Sequence, residues 1–246
     1  MVIKCLSLFF LLTFFSFSAS VHAAGGFPII GVLHAGGSPE ALAVDTQTHM
    51  LYIAYESPGL IVGFDPISGK VRWRKPLGNV ATDVQVDNSS HHVYATTTTY
   101  GGRESDLSIL DGATGEVLST LRTGFGDNAI AFDARRHRIY VANPDDGTIY
   151  AFTLVSGWSS GEIQVETAQL HITAHPQALG VNSHLGRLYV ADGSQHSVTV
   201  VDEDSGGTVA TLAVGDVPVP PMRVDETTGR VYVVCSTAQE LDVIDG

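Results

Sequence analysis

Cysteine is nearly missing from this sequence. Its 246 residues hold two, Cys5 and Cys235, and Cys5 lies in a segment that reads as a removable leader. A chain left with one thiol has no internal disulfide, so its fold must be held by its own core. Basic charge is scarce too. Lys and Arg number 13 against 26 Asp and Glu, a formal net charge of −13. A field of that sign repels phosphate backbones and anionic lipid, which argues against nucleic acid as a partner. The densest basic cluster, Arg135, Arg136 and Arg138, falls where a turn between strands is expected. Beyond the leader no apolar run approaches the roughly 20 residues of a membrane span. Helical periodicity is absent there as well. No CxxCH, no GxSxG and no Gly-rich phosphate loop before a helix occurs.

The leader itself is short. Lys4 supplies a charged start, Cys5 through Phe17 an apolar stretch, and Val21-His22-Ala23 a small-x-small cleavage pattern. Residues 1–23 read as a signal peptide, leaving a mature domain of residues 24–246 without membrane insertion. The expected location is periplasmic or extracellular.

What the chain does have is a repeat. ALAVDTQTHMLYIAY from Ala41, DVQVDNSSHHVYATT from Asp83, AIAFDARRHRIYVAN from Ala129, ALGVNSHLGRLYVAD from Ala178 and PMRVDETTGRVYVVC from Pro221 share one pattern. An alternating apolar run ends in Asp or Asn, a polar turn follows, and an aliphatic residue precedes a Tyr. Between these cores lies a second pattern: IVGFDPISGKV, SILDGATGEV, VTVVDEDSGGTV and LDVIDG. Asp65, Asp111, Asp202 and Asp245 close one strand, and Gly69, Gly115 and Gly206 open the next. Asp bonds its own backbone ahead, and Gly tolerates positive φ.

Each unit therefore holds four short strands. Such a sheet cannot bury both faces alone, whereas radial stacking can. The expectation is an all-β propeller of about five four-stranded blades, with units near residues 37–78, 79–124, 125–174, 175–215 and 216–246. The last unit has three strands. The segment PIIGVLHAGGSP resembles TVATLAVGDVP at the end of unit four. Residues 28–35 are thus expected to pair onto the C-terminal blade and close the ring. Five units are also what a stretch of a longer propeller would show.

Tyr140-Val141-Ala142-Asn143, its counterparts at Tyr189 and Tyr232, and the Asp111–Gly115 turn resemble the YVTN-repeat β-propeller family. The resemblance spans residues 28–246. It implies an exported propeller that serves as a binding or interaction scaffold, and related propellers include lactonases.

Propeller ligands bind at the channel mouth, where an outer strand connects to the next inner strand. Five residues before each repeat acid stand Glu40, Thr82, Asn128, Gln177 and Pro220, with Asp83 and Asp127 one residue away. This oxygen-rich set suits hydrogen bonding to a small molecule or glycan, and it also suits Ca²⁺. No cofactor is required otherwise. A protein partner is equally compatible with a rigid ring of loops. A lactonase-type hydrolase would use Glu, Asn and Asp on a channel metal, and Glu40, Asn128 and Asp83 match by type. His171 and His175 have metal-pair spacing only on a helix. His91, His92, His137 and His184 fall in turns. Cys235 reads as a packed small residue, since no positive partner stands near it. The non-catalytic scaffold is the first reading and the hydrolase the second.

Overall fold

The computed structural model describes residues 37–101, 104–126, 129–156 and 163–246. Residues Ser38–Gly246 form one compact unit. It is all-β, a propeller of five antiparallel blades. Blade 1 comprises β1 (Pro39–Val44), β2 (Leu51–Tyr55), β3 (Leu60–Asp65) and β4 (Lys70–Pro76). Blade 2 comprises β5 (Val80–Val86), β6 (His92–Thr98), β7 (Ser105–Asp111) and β8 (Val117–Gly124). Blade 3 comprises β9 (Ile130–Asp133), β10 (Arg138–Asn143), β11 (Thr148–Ser156) and β12 (Gln164–Leu170). Blade 4 comprises β13 (Pro176–Asn182), β14 (Arg187–Asp192), β15 (Ser197–Asp202) and β16 (Thr208–Ala213). Blade 5 has three described strands, β17 (Pro218–Asp225), β18 (Arg230–Cys235) and β19 (Glu240–Asp245). Within every blade the strands lie side by side in chain order. The closing strand expected at residues 28–35 lies outside the described residues, as does the leader. Among the described residues no helix is long and apolar enough to cross a membrane.

The repeat acids explain the first turn of each blade. The carboxylates of Asp45, Asp87, Asp133 and Asp225 and the amide oxygen of Asn182 each accept a backbone N–H two residues ahead. In the third turn Asp65 accepts the N–H two residues ahead, and Asp111 and Asp202 accept those three ahead. Such local bonds hold a tight turn without a helix or ladder to satisfy its amides. The fourth residue after the repeat acid is left-handed in blades 1, 2 and 3, and it is His49, His91 and His137 with φ of 61°, 60° and 49°. Blades 4 and 5 put Gly186 and Gly229 there, at 63° and 78°. These histidines occupy a conformational position in a turn.

The core is divided among four clusters, one between each pair of consecutive blades. Tyr52, Tyr94, Tyr140 and Tyr189 are all buried in them. Each tyrosine stands on the second strand of its blade and packs toward the next one. The phenol of Tyr52 also donates to the Gly112 carbonyl of blade 2 at 3.2 Å. The outward face of blade 5 presents Leu241 and Val243, and that of blade 1 Leu42 and Val44, all exposed.

Candidate functional site

The channel mouth is built from the starts of the inner strands. In β1, β5, β13 and β17 the pairing register slips at that point. The slips lie between Pro39 and Ala41, Ala81 and Asp83, Pro176 and Ala178, and Val219 and Arg223. The residues set in these bulges include Glu40, Thr82, Gln177 and Pro220. They are the positions counted back from the repeat acids. A bulge leaves a residue out of the ladder and re-aims its side chain.

The re-aiming differs from blade to blade. Thr82 turns into its own blade, its hydroxyl 2.9 Å from that of Thr96. The Gln177 amide lies against Gly193, where an added Cβ would fall on its Oε1. Glu40 is exposed. Asp127 and Asn128 lie outside the described residues.

Asp83, the residue after the bulge, has the most developed environment. Its Oδ2 accepts the Ile130 N–H of blade 3 at 3.1 Å, and its Oδ1 accepts the Val84 N–H at 2.7 Å. It thereby ties two inner strands together. It is half-buried, and burial pushes its carboxyl up to about 6. The two amide bonds and the Arg223 charge of blade 5 oppose that rise, and the Glu40 charge of blade 1 adds to it. Charges from blades 1 and 5 therefore both act on the Asp83 carboxyl of blade 2.

The histidines are dispersed. His171 Nδ1 lies 3.4 Å from the Thr148 hydroxyl, and His175 Nδ1 lies 2.7 Å from the Pro144 carbonyl. The structure assigns the two different partners. Among the described residues no three His, Cys, Asp or Glu side chains are grouped to hold a metal ion. Cys235 sits in the core between blades 4 and 5. Burial and the neighbouring Asp242 charge push its thiol up to about 11. Since the thiolate is the reactive form, Cys235 should resist a thiol-specific disulfide reagent at pH 8. It should react fully once guanidinium unfolds the chain. Rapid labelling of the native protein would contradict this placement.

Sequence reasoning missed one polar cluster, at the opposite ends of the inner strands. Asp133 and Glu203 have fully buried side chains. Arg136 bridges them, with Nη1 3.1 Å from Asp133 Oδ2 and 3.7 Å from Glu203 Oε2. Burial pushes Glu203 up to about 7, and the Asp133 carboxylate beside it adds to the shift. Burial acts on Asp133 in the same sense. Bonds from Glu203 and from the Arg136 and Arg135 amides outweigh it and bring Asp133 below its usual value. The signal was present. Blades 2 and 5 have Gly112 and Gly246 after the third-strand Asp, whereas blade 4 has Glu203.

No family model matches the chain, and no curated protein does. Solved structures with the same fold are numerous, with 1150 matching chains, so the likeness identifies an architecture. One is hydrazine synthase of Kuenenia stuttgartiensis. It has 12% sequence identity and a TM-score of 0.56, and the match covers 85% of this chain and 83% of that one. At that identity the similarity speaks for the fold alone.

Proposed function

We propose that this chain is an exported propeller of the YVTN-repeat kind, acting as a non-catalytic binding scaffold with its ligand at the channel mouth. The observation that supports this is that the Asp83 carboxyl of blade 2 feels the charges of Glu40 from blade 1 and Arg223 from blade 5. Two carboxylates and a guanidinium suit a ligand bearing several hydroxyls, a polyol or glycan. Hydroxyl groups can donate to the acids and accept from the arginine. The bulges hold this end of β1, β5, β13 and β17 out of regular pairing, which leaves room for variation from blade to blade.

The test is a thermal melt of the purified chain against a panel of monosaccharides and polyols. A ligand that binds only the folded state raises the midpoint by mass action. The shift should vanish in Asp83→Asn and shrink in Glu40→Ala. A panel without effect would remove the polyol reading.

The second reading is a metal-dependent hydrolase of lactonase type using Glu40, Asp83 and Asn128. It is favoured by the Glu40 charge reaching the Asp83 carboxyl. A Ca²⁺-dependent rise in midpoint after chelation, lost in Glu40→Ala and accompanied by lactone hydrolysis, would put it first. A melt indifferent to Ca²⁺ would set it aside.

A further inference from the structure

The grooves between blades are filled differently along the chain. In blade 1 Tyr52 pairs with Gly63, and Gly63 with Trp73. The Trp73 indole fills the groove toward blade 2. Its ring centre lies 5.8 Å from that of Tyr52, and its Nε1 donates to the Gly112 carbonyl at 2.8 Å. The glycines around it are shaped by it. A Cβ added at Gly63 would come within 2.5 Å of the indole, and one at Gly115 within 2.6 Å.

In blade 3 the same register runs through Tyr140, Ala151 and Ala168. Alanine thus stands where blade 1 has tryptophan. The turn above is Asp202–Gly206, the counterpart of Asp111–Gly115. At Gly206 an added Cβ would meet nothing within 4 Å. The space is a half-open cavity of about 360 Å³ between blades 3 and 4. Its walls include Ala151, Ala168, Leu170, Leu188 and Val201, and Arg138 and Tyr140 line it as well. The carbonyl that accepts the indole N–H in blade 2 is here that of Glu203, and it accepts Arg138 Nη1 at 2.6 Å. The Tyr140 hydroxyl and Thr153 hydroxyl also bond this guanidinium, at 3.2 and 3.3 Å. Arg138 is therefore pinned as a flat cationic surface beside the apolar wall of the slot, whose rim carries the acids Glu166, Asp202, Glu203 and Asp204.

We infer that the groove between blades 3 and 4 binds a small planar aromatic molecule of indole size, in the place that Trp73 fills between blades 1 and 2. The chain itself supplies the precedent that this groove geometry accepts an indole ring. A pinned guanidinium is a good stacking partner for such a ring. The cavity volume is within the usual range for small-ligand sites. The Ala151 methyl occupies part of the space that Gly63 leaves open. An untethered ring must therefore sit somewhat further out than Trp73 does.

Indole is the probe. It is titrated into the full chain, followed by amide ¹H–¹⁵N spectra. The expected result is saturable shifts at Ala168, Ser205 and Gly206, with intermolecular NOEs from the ring to the Ala151 and Ala168 methyls. The double variant A151G/A168W rebuilds the blade 1 arrangement. It should melt higher than wild type and bind indole at least tenfold more weakly. A168L, a smaller plug, should weaken binding in the same direction and keeps the test open if the double variant fails to fold. Absence of saturable shifts in the wild type would overturn the inference. So would NOEs to any other groove, or undiminished binding in a folded plugged variant.

Discussion

Glu203→Gln should melt higher than wild type at pH 8 and at the same temperature at pH 4. The side chain is fully buried, and its carboxyl titrates near 7 instead of 4.5. The folded protein thus holds a proton that the unfolded chain would release. Below about pH 4.5 both states are protonated and the group is neutral to stability. As pH rises from 4.5 to 7 the unfolded state gains by ionising, and wild type loses stability; above 7 the loss is constant. Glutamine carries no charge at any of these pH values, and its amide can donate to the Asp133 carboxylate. After a discount for screening by water near Arg136, the gain at pH 8 is about 2 kcal/mol. For a domain of this size that is roughly 5 °C. Calorimetric melts of both proteins from pH 4 to 8 measure it directly. Asp83, pushed up to about 6 for the same reason, leaves a shallower slope of the same sign in the variant. Parallel melts at every pH would show that Glu203 ionises freely in the folded protein.

That cluster also shows what the sequence could and could not reveal. The propeller was legible because five copies of a Tyr-bearing strand pair, each opened by an Asp or Asn, repeat in phase. The structure uses those residues as the pattern implies. Tyr52, Tyr94, Tyr140 and Tyr189 fill the spaces between blades, and the acids hold turns. The histidines at 49, 91 and 137 became intelligible against Gly186 and Gly229, since all five share the left-handed position. The channel mouth was legible in level but not in direction. Counting back from the acid reached Glu40, Thr82 and Gln177, yet one extra residue in the strand decides where a side chain points. That residue turned Thr82 onto Thr96, and Asp83 onto the next blade. The groove features were hidden for another reason. Trp73 with Gly112, and Arg138 with Glu203, meet across blades at separations of 39 and 65 residues. Fourth strands carry little of the repeat pattern, so Trp73 and Ala168 could be aligned only through the observed register.

The largest single-residue loss expected is at Asp192, which ends β14 fully buried. One carboxylate satisfies two pieces of backbone. Oδ1 accepts the amides of Ser194 and Gln195 and the Ser194 hydroxyl, at 2.7, 2.9 and 2.7 Å. Oδ2 accepts the amides of Ala174 and His175 at 3.0 and 3.1 Å. It thus locks the β14–β15 turn onto the linker that leads to Gln177 at the channel mouth. Asp192→Ala strips the acceptor from four backbone donors. At about 1 kcal/mol or more for each, the cost is on the order of 4 kcal/mol, or roughly 10 °C. Asparagine does not rescue it. Blade 3 has Asn143 at this position, but there the amide nitrogen donates to the Thr123 carbonyl at 2.7 Å. At 192 one half of an asparagine would point N–H at the donors of Ala174 and His175. Hydrogen exchange should show both amides losing protection in either variant. The pH dependence carries the matching sign. Burial alone would raise the Asp192 carboxyl, but its donors outweigh burial and hold it below 3.8. Its stabilisation is present above that value and fades as pH falls through the lowered one. The gap between wild type and Asp192→Ala should be widest near neutrality and close in strong acid. A gap unchanged from pH 7 to pH 2 would mean that cavity formation, not the lost carboxylate, accounts for the destabilisation.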